Sequence, residues 1–406
     1  MTPLHLWIVT QYFPPDTGAA AVRLSRLARL LVADGHRVTV LTVMPHYSSN
    51  GIADGYRGRV FMRERIDGAD VLRGWVYAGG KGTAARLLNQ ISAMCAVALH
   101  GTFAARPDVI LVESHPLFMA IAGGWLKRVK RATVVLNVSD LWPESAVETG
   151  TLAATHPLVR LAMPVAGWAY RDAAQIVGMT DGVIAGIRRH GADPAKVSLI
   201  ANGVDLDFFQ PRTRSGMLRA RFGIEADRVV ALHIGNLSTT YDFETLLDAA
   251  ALCPDVSFVY VGTGSKADDV QADAARRGLR NVYFTGVLAY NLMPDVWADG
   301  DLCLIAMGDH ALAAGTRPAK LYEALATGTP IIAAIRGEGA RLIEESGAGV
   351  VVPVGDADAL SAAIRSLADD PGRRATLGAA GRRYAEAHLS ADVVKDRYLD
   401  VIRRVV

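Results

Sequence analysis

Short apolar runs alternate with helix-like segments along the whole chain, and this alternation restricts the fold more than any other feature of the sequence. The runs that read as buried strands are residues 4–10, 37–42, 109–112 and 132–138 in the first half and 229–234, 256–261, 302–307 and 331–335 in the second. Strands that alternate with helices form parallel sheets covered by helices on both faces. The sequence therefore predicts an α/β fold.

The length of the chain predicts two domains. The chain has 406 residues, and a domain usually contains roughly 100–200 residues. We expect Rossmann-like domains at residues 1–204 and 205–387, and a last helix within 388–406 that packs back on the first domain. Ligands bind such sheets at the carboxyl ends of the strands. Two parallel sheets facing a central cleft would therefore place the ligand in that cleft.

Charge and cysteine content exclude several kinds of protein. The net charge is +2, from 43 basic and 41 acidic residues, whereas nucleic acid binding needs a clear basic excess. The three cysteines are far apart and have no zinc-ligand spacing, which is typical of a cytosolic protein. No run reaches the ~18 apolar residues of a membrane-spanning helix, and the first ten residues resemble a strand and not a signal peptide.

One predicted helix, within residues 316–330, lies between two of the apolar runs. We expect Thr316 to cap this helix, Pro318 to lie in its first turn and Gly328 to follow its last residue. The first backbone N–H groups of a helix have no acceptor within the helix. The start of this helix therefore predicts an anion site.

The side chains of this helix fit the same interpretation. Arg317 and Lys320 supply positive charge for a diphosphate, and Glu323, about one turn further on, suits the hydroxyls of a ribose. An ordinary surface helix with one exposed ion pair is the alternative.

Two glycine turns in the second half follow neighbouring strands. Gly235 and Asn236 follow the run 229–234, and Gly262 and Gly264 follow the run 256–261. Glycine lets a ligand approach the backbone closely. Together with the helix at 316–330, these turns predict three strand ends that line one nucleotide site.

The first half offers candidate residues at its own strand ends. Gly18 opens the first helix, where a ligand could approach the backbone, although the three spaced glycines of the dinucleotide fingerprint are missing. Asp140 and Glu144 follow the run 132–138 and could orient a hydroxyl or transfer a proton. A simple strand-to-helix turn is the alternative for the first segment, and a capped loop held by burial of Trp142 is the alternative for the second.

Ser139 and His115 complete the candidates on the acceptor side of the predicted cleft. Ser139 directly follows the run 132–138, and His115 follows the run 109–112. A structural role is the alternative for His115.

A basic cluster and an apolar helix face raise the question of membrane contact. Residues 127–131 contain four cations, and the helix predicted at 84–105 has an apolar face. A solvated helix end and ordinary core packing explain these two features. Contact with anionic lipid headgroups is the functional alternative.

Taken together, the motifs resemble retaining glycosyltransferase family 4, which has the GT-B fold. The resemblance covers nearly the whole chain. The residues that carry it are Tyr12-Phe-Pro-Pro15 with Gly18, Ser139-Asp-Leu-Trp-Pro-Glu-Ser145, Asn202-Gly-Val-Asp205, Gly235-Asn236, Val261-Gly-Thr-Gly264 and Pro318-Ala-Lys-Leu-Tyr-Glu323 with Gly328 and Pro330. The run at 139–145 looks most like the subgroup with N-acetylfucosaminyl transferases of O-antigen and exopolysaccharide synthesis.

This resemblance implies transfer of a hexosyl or N-acetylhexosaminyl group from a nucleotide-diphosphate sugar, with retention at the anomeric carbon and without a metal. It implies that Glu323 binds the ribose, that Arg317 and Lys320 lie near the phosphates, and that Gly18 lets the first loop approach the donor. We expect catalytic roles for Asp140, Glu144 and Lys320. The acceptor would be a glycan, a lipid-linked molecule or a small molecule, in the cytoplasm or at the inner face of the membrane.

The chain departs from the family pattern at four positions. Gly315 stands eight residues before Glu323, where many members have the first of two glutamates. Asn236 and Tyr241 stand where many members have an arginine and a lysine, and Ser139 replaces a histidine. Positive charge for the diphosphate must then come from elsewhere, and Arg317 and Lys320 are the candidates.

Two other functions fit the same fold. A nucleotide-sugar epimerase would need carboxylate and histidine partners around the sugar. A non-catalytic nucleotide-sugar-binding protein is favoured by Gly315 alone.

Overall fold

A computed structural model of the chain describes residues 2–46, 51–80, 82–148, 152–309 and 314–406. The chain divides into two compact units. Unit 1 contains the residues up to Asn202 together with Ala391–Val406, and unit 2 contains Gly203–Ser390. Each unit is built on its own sheet, so the predicted α/β class is confirmed.

Unit 1 has an eight-stranded sheet. Its strands are β1 (His5–Val9), β2 (Arg37–Val43), β3 (Phe61–Ile66), β4 (Ala69–Gly74), β5 (Val109–Glu113), β6 (Thr133–Val138), β7 (Gln175–Gly178) and β8 (Val197–Leu199). They lie in the order β3-β4-β2-β1-β5-β6-β7-β8. The strand order reverses direction between β1 and β5, which is the switch point where such sheets bind ligands.

Helices connect these strands. They are α1 (Ala19–Ala33), α2 (Thr83–Phe103), α3 (Phe118–Lys130), α4 (Glu144–Glu148), α5 (Pro157–Asp172) and α6 (Asp181–Arg189). All five residues of β5 are buried, as expected for a parallel strand covered on both faces.

One hairpin departs from the parallel pattern. β3 pairs antiparallel with β4 at the edge of the sheet. The two-residue turn between them is Asp67-Gly68, and both residues have positive φ, 46° and 83°. Asp-Gly is favoured in such turns because both central positions need positive φ.

Unit 2 has a six-stranded, wholly parallel sheet. Its strands are β9 (Val230–Ile234), β10 (Ser257–Val261), β11 (Val282–Phe284), β12 (Leu302–Ala306), β13 (Ile331–Ala334) and β14 (Gly349–Val352). They lie in the order β11-β10-β9-β12-β13-β14. The first and fourth strands of this unit are therefore neighbours, and the switch point lies between β9 and β12.

The helices of unit 2 cover this sheet. They are α7 (Met217–Phe222), α8 (Phe243–Leu252), α9 (Ala267–Arg276), α10 (Met293–Asp299), α11 (Ala319–Thr327), α12 (Glu338–Ser346), α13 (Ala357–Ala368) and α14 (Pro371–His388). The final helix, α15 (Ala391–Arg403), belongs to unit 1. Its Tyr398, Leu399 and Ile402 are buried in one cluster with residues of β1 and α1.

The predicted start of α11 is wrong, and its predicted end is confirmed. The helix begins at Ala319 with Pro318 as its N-cap, so Thr316 does not cap it. Proline fixes φ near the helical value and has no N–H to leave unsatisfied, which suits it to a helix start. Gly328 follows the helix with φ of 70°, the left-handed conformation that glycine favours.

Within the described ranges, no helix combines the length and the apolar composition that crossing a membrane requires.

Candidate functional site

The strand order of unit 2 brings three segments to one edge of the sheet. β9 pairs in parallel with both β10 and β12. The Gly235 turn follows β9, the Gly262 turn follows β10, and the stretch leading to α11 follows β12. These are the three strand ends at which the sequence predicts a nucleotide site.

Glycine is required at the two turns because their backbones touch. The N–H of Gly235 donates to the carbonyl oxygen of Val261 at 2.8 Å. Gly262 has a φ of +130°, and a Cβ there would lie 2.1 Å from the carbonyl oxygen of Gly235. A Cβ at Gly264 would lie 2.2 Å from Oδ1 of Asn236. The two turns therefore form one close-packed layer of backbone, which a larger residue would push apart.

Lys320, in the first turn of α11, lies against this layer. Lys320 is 5% exposed to solvent. Its Nζ lies 2.9 Å from Nε2 of His233 and 3.9 Å from the centre of the Tyr241 ring. Its Cε is 3.6 Å from the position that a Cβ would take on Gly235. The amine is thus held between an imidazole and an aromatic face, directly beside the glycine turn.

His233 accepts a hydrogen bond from Lys320. The Nδ1 atom of His233 lies 3.2 Å from the carbonyl oxygen of Leu304, which can only accept, so Nδ1 carries the proton and Nε2 is the acceptor. Burial, and then the charge of Lys320, lower the pKa of His233 well below its ordinary value. The imidazole is therefore neutral at physiological pH.

Burial also lowers the pKa of Lys320, from 10.5 to about 7. The charged form of a buried amine loses hydration, and the electrostatic effects of Cys303 and Glu323 offset only part of this loss. Near neutral pH the side chain is therefore divided between its protonated and neutral forms. An anion bound at the glycine turn would favour the protonated form.

Glu323 and Arg317 lie on either side of Lys320 in the sequence. The carboxylate of Glu323 is half-buried and accepts a hydrogen bond from Nε1 of Trp297 at 3.1 Å. The Nε of Arg317 lies 3.0 Å from the carboxylate of Glu338, in a pair that is largely buried. Arg317 is therefore held by a carboxylate of α12, while Lys320 is the cation beside the glycine turn.

The switch point of unit 1 contains a second polar cluster. Glu113 is the last residue of β5, and its side chain is fully buried. Its carboxylate accepts hydrogen bonds from Arg23 at 2.5 Å, Asn137 at 2.6 Å and Ser139 at 2.5 Å. The hydroxyl of Tyr398 donates to Oδ1 of Asn137 at 2.6 Å. This cluster, which we call the Glu113 network, joins β5, β6, α1 and α15.

The other predicted site residues of unit 1 have different surroundings in the structure. Glu144 begins α4 and contacts Nε2 of His190, while Asp140 is half-buried in the preceding loop. His115 is exposed just after β5, and Gly18 is the N-cap of α1 with φ of −67°. Ser139 and Glu144 are thus held by different partners, and Gly18 adopts a conformation open to any residue.

The sequence did not identify His233, Glu113 or Trp297 as site residues. His233 lies in an apolar run and its partner Lys320 is 87 positions away. Glu113 could have been found, because a carboxylate at the end of an otherwise apolar strand needs buried partners.

Comparisons with known proteins cover both units. Residues 18–203 match the family model described as Glycosyl transferase 4-like domain, and residues 217–384 match Glycosyl transferases group 1. WcaI of Escherichia coli K12, named as a colanic acid biosynthesis glycosyl transferase, is 24% identical over 97% of this chain and 98% of its own. Alpha-D-kanosaminyltransferase of Streptomyces kanamyceticus is 26% identical over 61% of this chain and 65% of its own.

Solved structures share the fold at low sequence identity. Sucrose-phosphate synthase from Thermosynechococcus elongatus superposes with a TM-score of 0.79 and 18% identity, over 99% of both chains. HepE of Anabaena, solved in complex with UDP-glucose, superposes with a TM-score of 0.72 and 19% identity, over 99% of this chain and 100% of its own.

Proposed function

This chain is a glycosyltransferase with the GT-B fold, and from that premise we propose that it moves a sugar from a nucleotide-diphosphate sugar to a hydroxyl group with retention at the anomeric carbon. The position of Lys320 carries the proposal. Its amine lies beside the Gly235 turn, at the switch point of the sheet, where backbone N–H groups and a cation can meet a diphosphate.

Lys320 supplies positive charge for the departing nucleotide. In the reaction, the bond between the anomeric carbon and the diphosphate oxygen breaks, and negative charge develops on that diphosphate. A buried ammonium group stabilises this charge more than an exposed one, because the surroundings have a low dielectric constant. The acceptor oxygen forms the new bond to the anomeric carbon and loses its proton.

Glu323 binds the ribose in this proposal. Its carboxylate lies about one turn of α11 beyond Lys320. The hydrogen bond from Trp297 orients this carboxylate. A carboxylate suits ribose hydroxyls because each of its oxygens can accept more than one hydrogen bond. The predicted donor-binding residues Gly18 and Arg317 keep their proposed roles, with Arg317 acting from its pair with Glu338.

The acceptor side of the proposal rests on unit 1. Asp140 and Glu144 orient the acceptor or take its proton, with Ser139 and His115 nearby in the sequence. The contact with His190 fixes the direction of the Glu144 carboxylate. The reaction as proposed uses no metal, because Lys320 and backbone N–H groups provide the positive potential.

The named relatives favour sugar transfer over an epimerase or a non-catalytic binding protein, and WcaI suggests polysaccharide biosynthesis as the setting. We propose a glycan, lipid-linked or small-molecule acceptor, in the cytoplasm or at the inner face of its membrane. The N-acetylfucosaminyl transferase resemblance gives the first donors to test.

A panel of nucleotide sugars tests the proposal. We expect slow donor hydrolysis without acceptor and a retained anomeric configuration in the product, followed by NMR. Lys320→Ala and Glu323→Ala should weaken donor binding by calorimetry while the unfolding temperature stays near that of the wild type. Conversion to an isomeric nucleotide sugar would identify an epimerase instead. Unchanged donor affinity in both variants would overturn the site.

A further inference from the structure

Two neighbouring helices of unit 1 present large apolar side chains to solvent. On α2, Leu88 is 53% exposed, Leu99 is 56% exposed and Phe103 is 81% exposed. On α3, Trp125 is 53% exposed and Val129 is 41% exposed. We call these five side chains the α2–α3 face. Their number on one side of the unit is unusual, because exposed apolar residues on a monomer are normally scattered singly.

The two rows of side chains meet at the carboxyl-terminal ends of the helices. Nε1 of Trp125 donates to Oγ1 of Thr102 at 3.0 Å, next to Phe103 in the chain. Nζ of Lys130 donates to the carbonyl oxygens of Thr102 and Ala104 at 2.8 Å and 2.6 Å. The end of α3 is thereby fixed against the end of α2.

The apolar surface continues beyond α2 to the β3–β4 hairpin. The ring of Phe61 lies 4.6 Å from the ring of His100 on α2. Phe61 is 48% exposed, and Val60 and Trp75 are also exposed. Since the N–H of Trp75 donates to the carbonyl of Val60, these three residues form one group at the edge of the α2–α3 face.

The charged residues of the two helices are all basic. Neither α2 nor α3 contains an aspartate or a glutamate, whereas they contain Arg86, Lys127, Arg128 and Lys130. Asp172 of α5 lies 3.3 Å from Lys127 and 3.1 Å from Arg128, so one carboxylate faces two cations. A positive excess therefore accompanies the exposed apolar side chains.

We propose that the α2–α3 face docks on an anionic lipid bilayer. Aromatic and aliphatic side chains enter the boundary between headgroups and acyl chains, and cations at their edge attract anionic headgroups. A symmetric pairing of two copies through this face would bring the basic residues of both chains together, which is unfavourable. The inference goes beyond the proposed reaction, because it depends only on the surface of unit 1.

Vesicle sedimentation with the full chain tests the proposal. We expect binding to vesicles of phosphatidylcholine and phosphatidylglycerol, and much weaker binding to phosphatidylcholine alone. Leu99→Ser combined with Phe103→Ser should weaken binding on the order of tenfold, since both side chains lose apolar burial in the membrane. Val287→Ser, at a residue that is 73% exposed in unit 2, is the matched control and should bind like the wild type.

The charge contribution is tested separately. Arg86→Gln should weaken binding to anionic vesicles roughly fivefold, which corresponds to about 1 kcal/mol per basic residue near the surface. Arg383→Gln, at an exposed position of α14 in unit 2, is its control.

Three results would overturn the docking surface. They are absence of binding to anionic vesicles, binding that ignores lipid charge, and binding that Leu99→Ser with Phe103→Ser leaves unchanged. A dimer in light scattering that this double variant abolishes, without vesicle binding, would assign the face to a second copy. Donor binding by calorimetry should stay unchanged in all these variants, so failure here is distinct from failure of the proposed reaction.

Discussion

Nζ of Lys320 lies 2.9 Å from Nε2 of His233, and both side chains are almost completely buried. The imidazole is neutral because burial lowers its pKa, so it accepts from the amine without repelling it. The glycine turn at Gly235 also lies beside Lys320. A buried amine is thus held, by one neutral acceptor, at the place where a phosphate could neutralise its charge.

Donor binding should depend on pH through Lys320. Burial lowers the pKa of this lysine to about 7, and a diphosphate binds the protonated form better. Donor affinity is therefore expected to be highest below about pH 7 and to fall as the pH rises above it, by up to about tenfold per pH unit. Calorimetry between pH 6 and pH 8.5, in buffers of different ionisation enthalpy, should show proton uptake on binding.

Lys320→Met is the control for this linkage. It keeps a long apolar side chain but has no proton to gain, so its weaker donor binding should not change over the same pH range. An affinity of the wild type that is constant between pH 6 and pH 8.5 would contradict the role assigned to Lys320.

His233→Phe should weaken donor binding by acting through Lys320. The ring keeps its packing against Tyr241 and Phe243, but the ammonium loses its acceptor, and the pKa of Lys320 falls further. We expect weaker donor binding at pH 7.5 that recovers at pH 6. In the Lys320→Met background the same change should have little further effect, because the two residues act as one unit.

Tyr260→Phe tests whether this effect is specific. Tyr260 also packs against His233, at 5.7 Å between ring centres, and the change removes only its hydroxyl. Donor affinity and its pH dependence should both stay as in the wild type. Equal losses in His233→Phe and Tyr260→Phe would point to general damage of the core.

The sequence predicted the framework of the site better than its chemistry. The strand ends at Gly235 and Gly262 could be found because strands and turns leave local patterns. The partner of Lys320 could not, because His233 lies in an apolar strand distant in the chain and the pair forms only when β9 and β12 are neighbours. Asp67-Gly68 is a local sequence signal for a hairpin turn. The hairpin was not predicted, because only parallel pairing was expected.

Gly262→Ala should destabilise unit 2 and disturb the donor site. The added Cβ would lie 2.1 Å from the carbonyl oxygen of Gly235, and a φ of +130° is unfavourable for alanine. Gly278→Ala is the matched control, because Gly278 also has positive φ, +67°, but no atom lies within 4 Å of its added Cβ. We expect a loss of about 1–2 kcal/mol in the control and a clearly larger loss for Gly262→Ala in urea unfolding. Equal losses would mean that the two turns do not need their close approach.

Glu113→Gln should destabilise unit 1 strongly. The Arg23 guanidinium, which lies 2.5 Å from the carboxylate, would lose its counter-charge while it remains largely buried. Leaving one partner of a buried ion pair uncompensated typically costs about 3–5 kcal/mol. Urea unfolding followed by circular dichroism should show this loss.

Two smaller changes separate charge from hydrogen bonding in the Glu113 network. Tyr398→Phe removes the hydrogen bond to Asn137, and Ser139→Ala removes one of the donors to Glu113. Each should cost roughly 0.5–1.5 kcal/mol, the net contribution of a single hydrogen bond, or somewhat more where the acceptor is charged. Glu113→Gln must therefore exceed both, because it alone leaves a charge without a partner. If all three variants unfolded at the same urea concentration, the network would be held by packing, and the buried pair of Arg23 with Glu113 would contribute no specific stability.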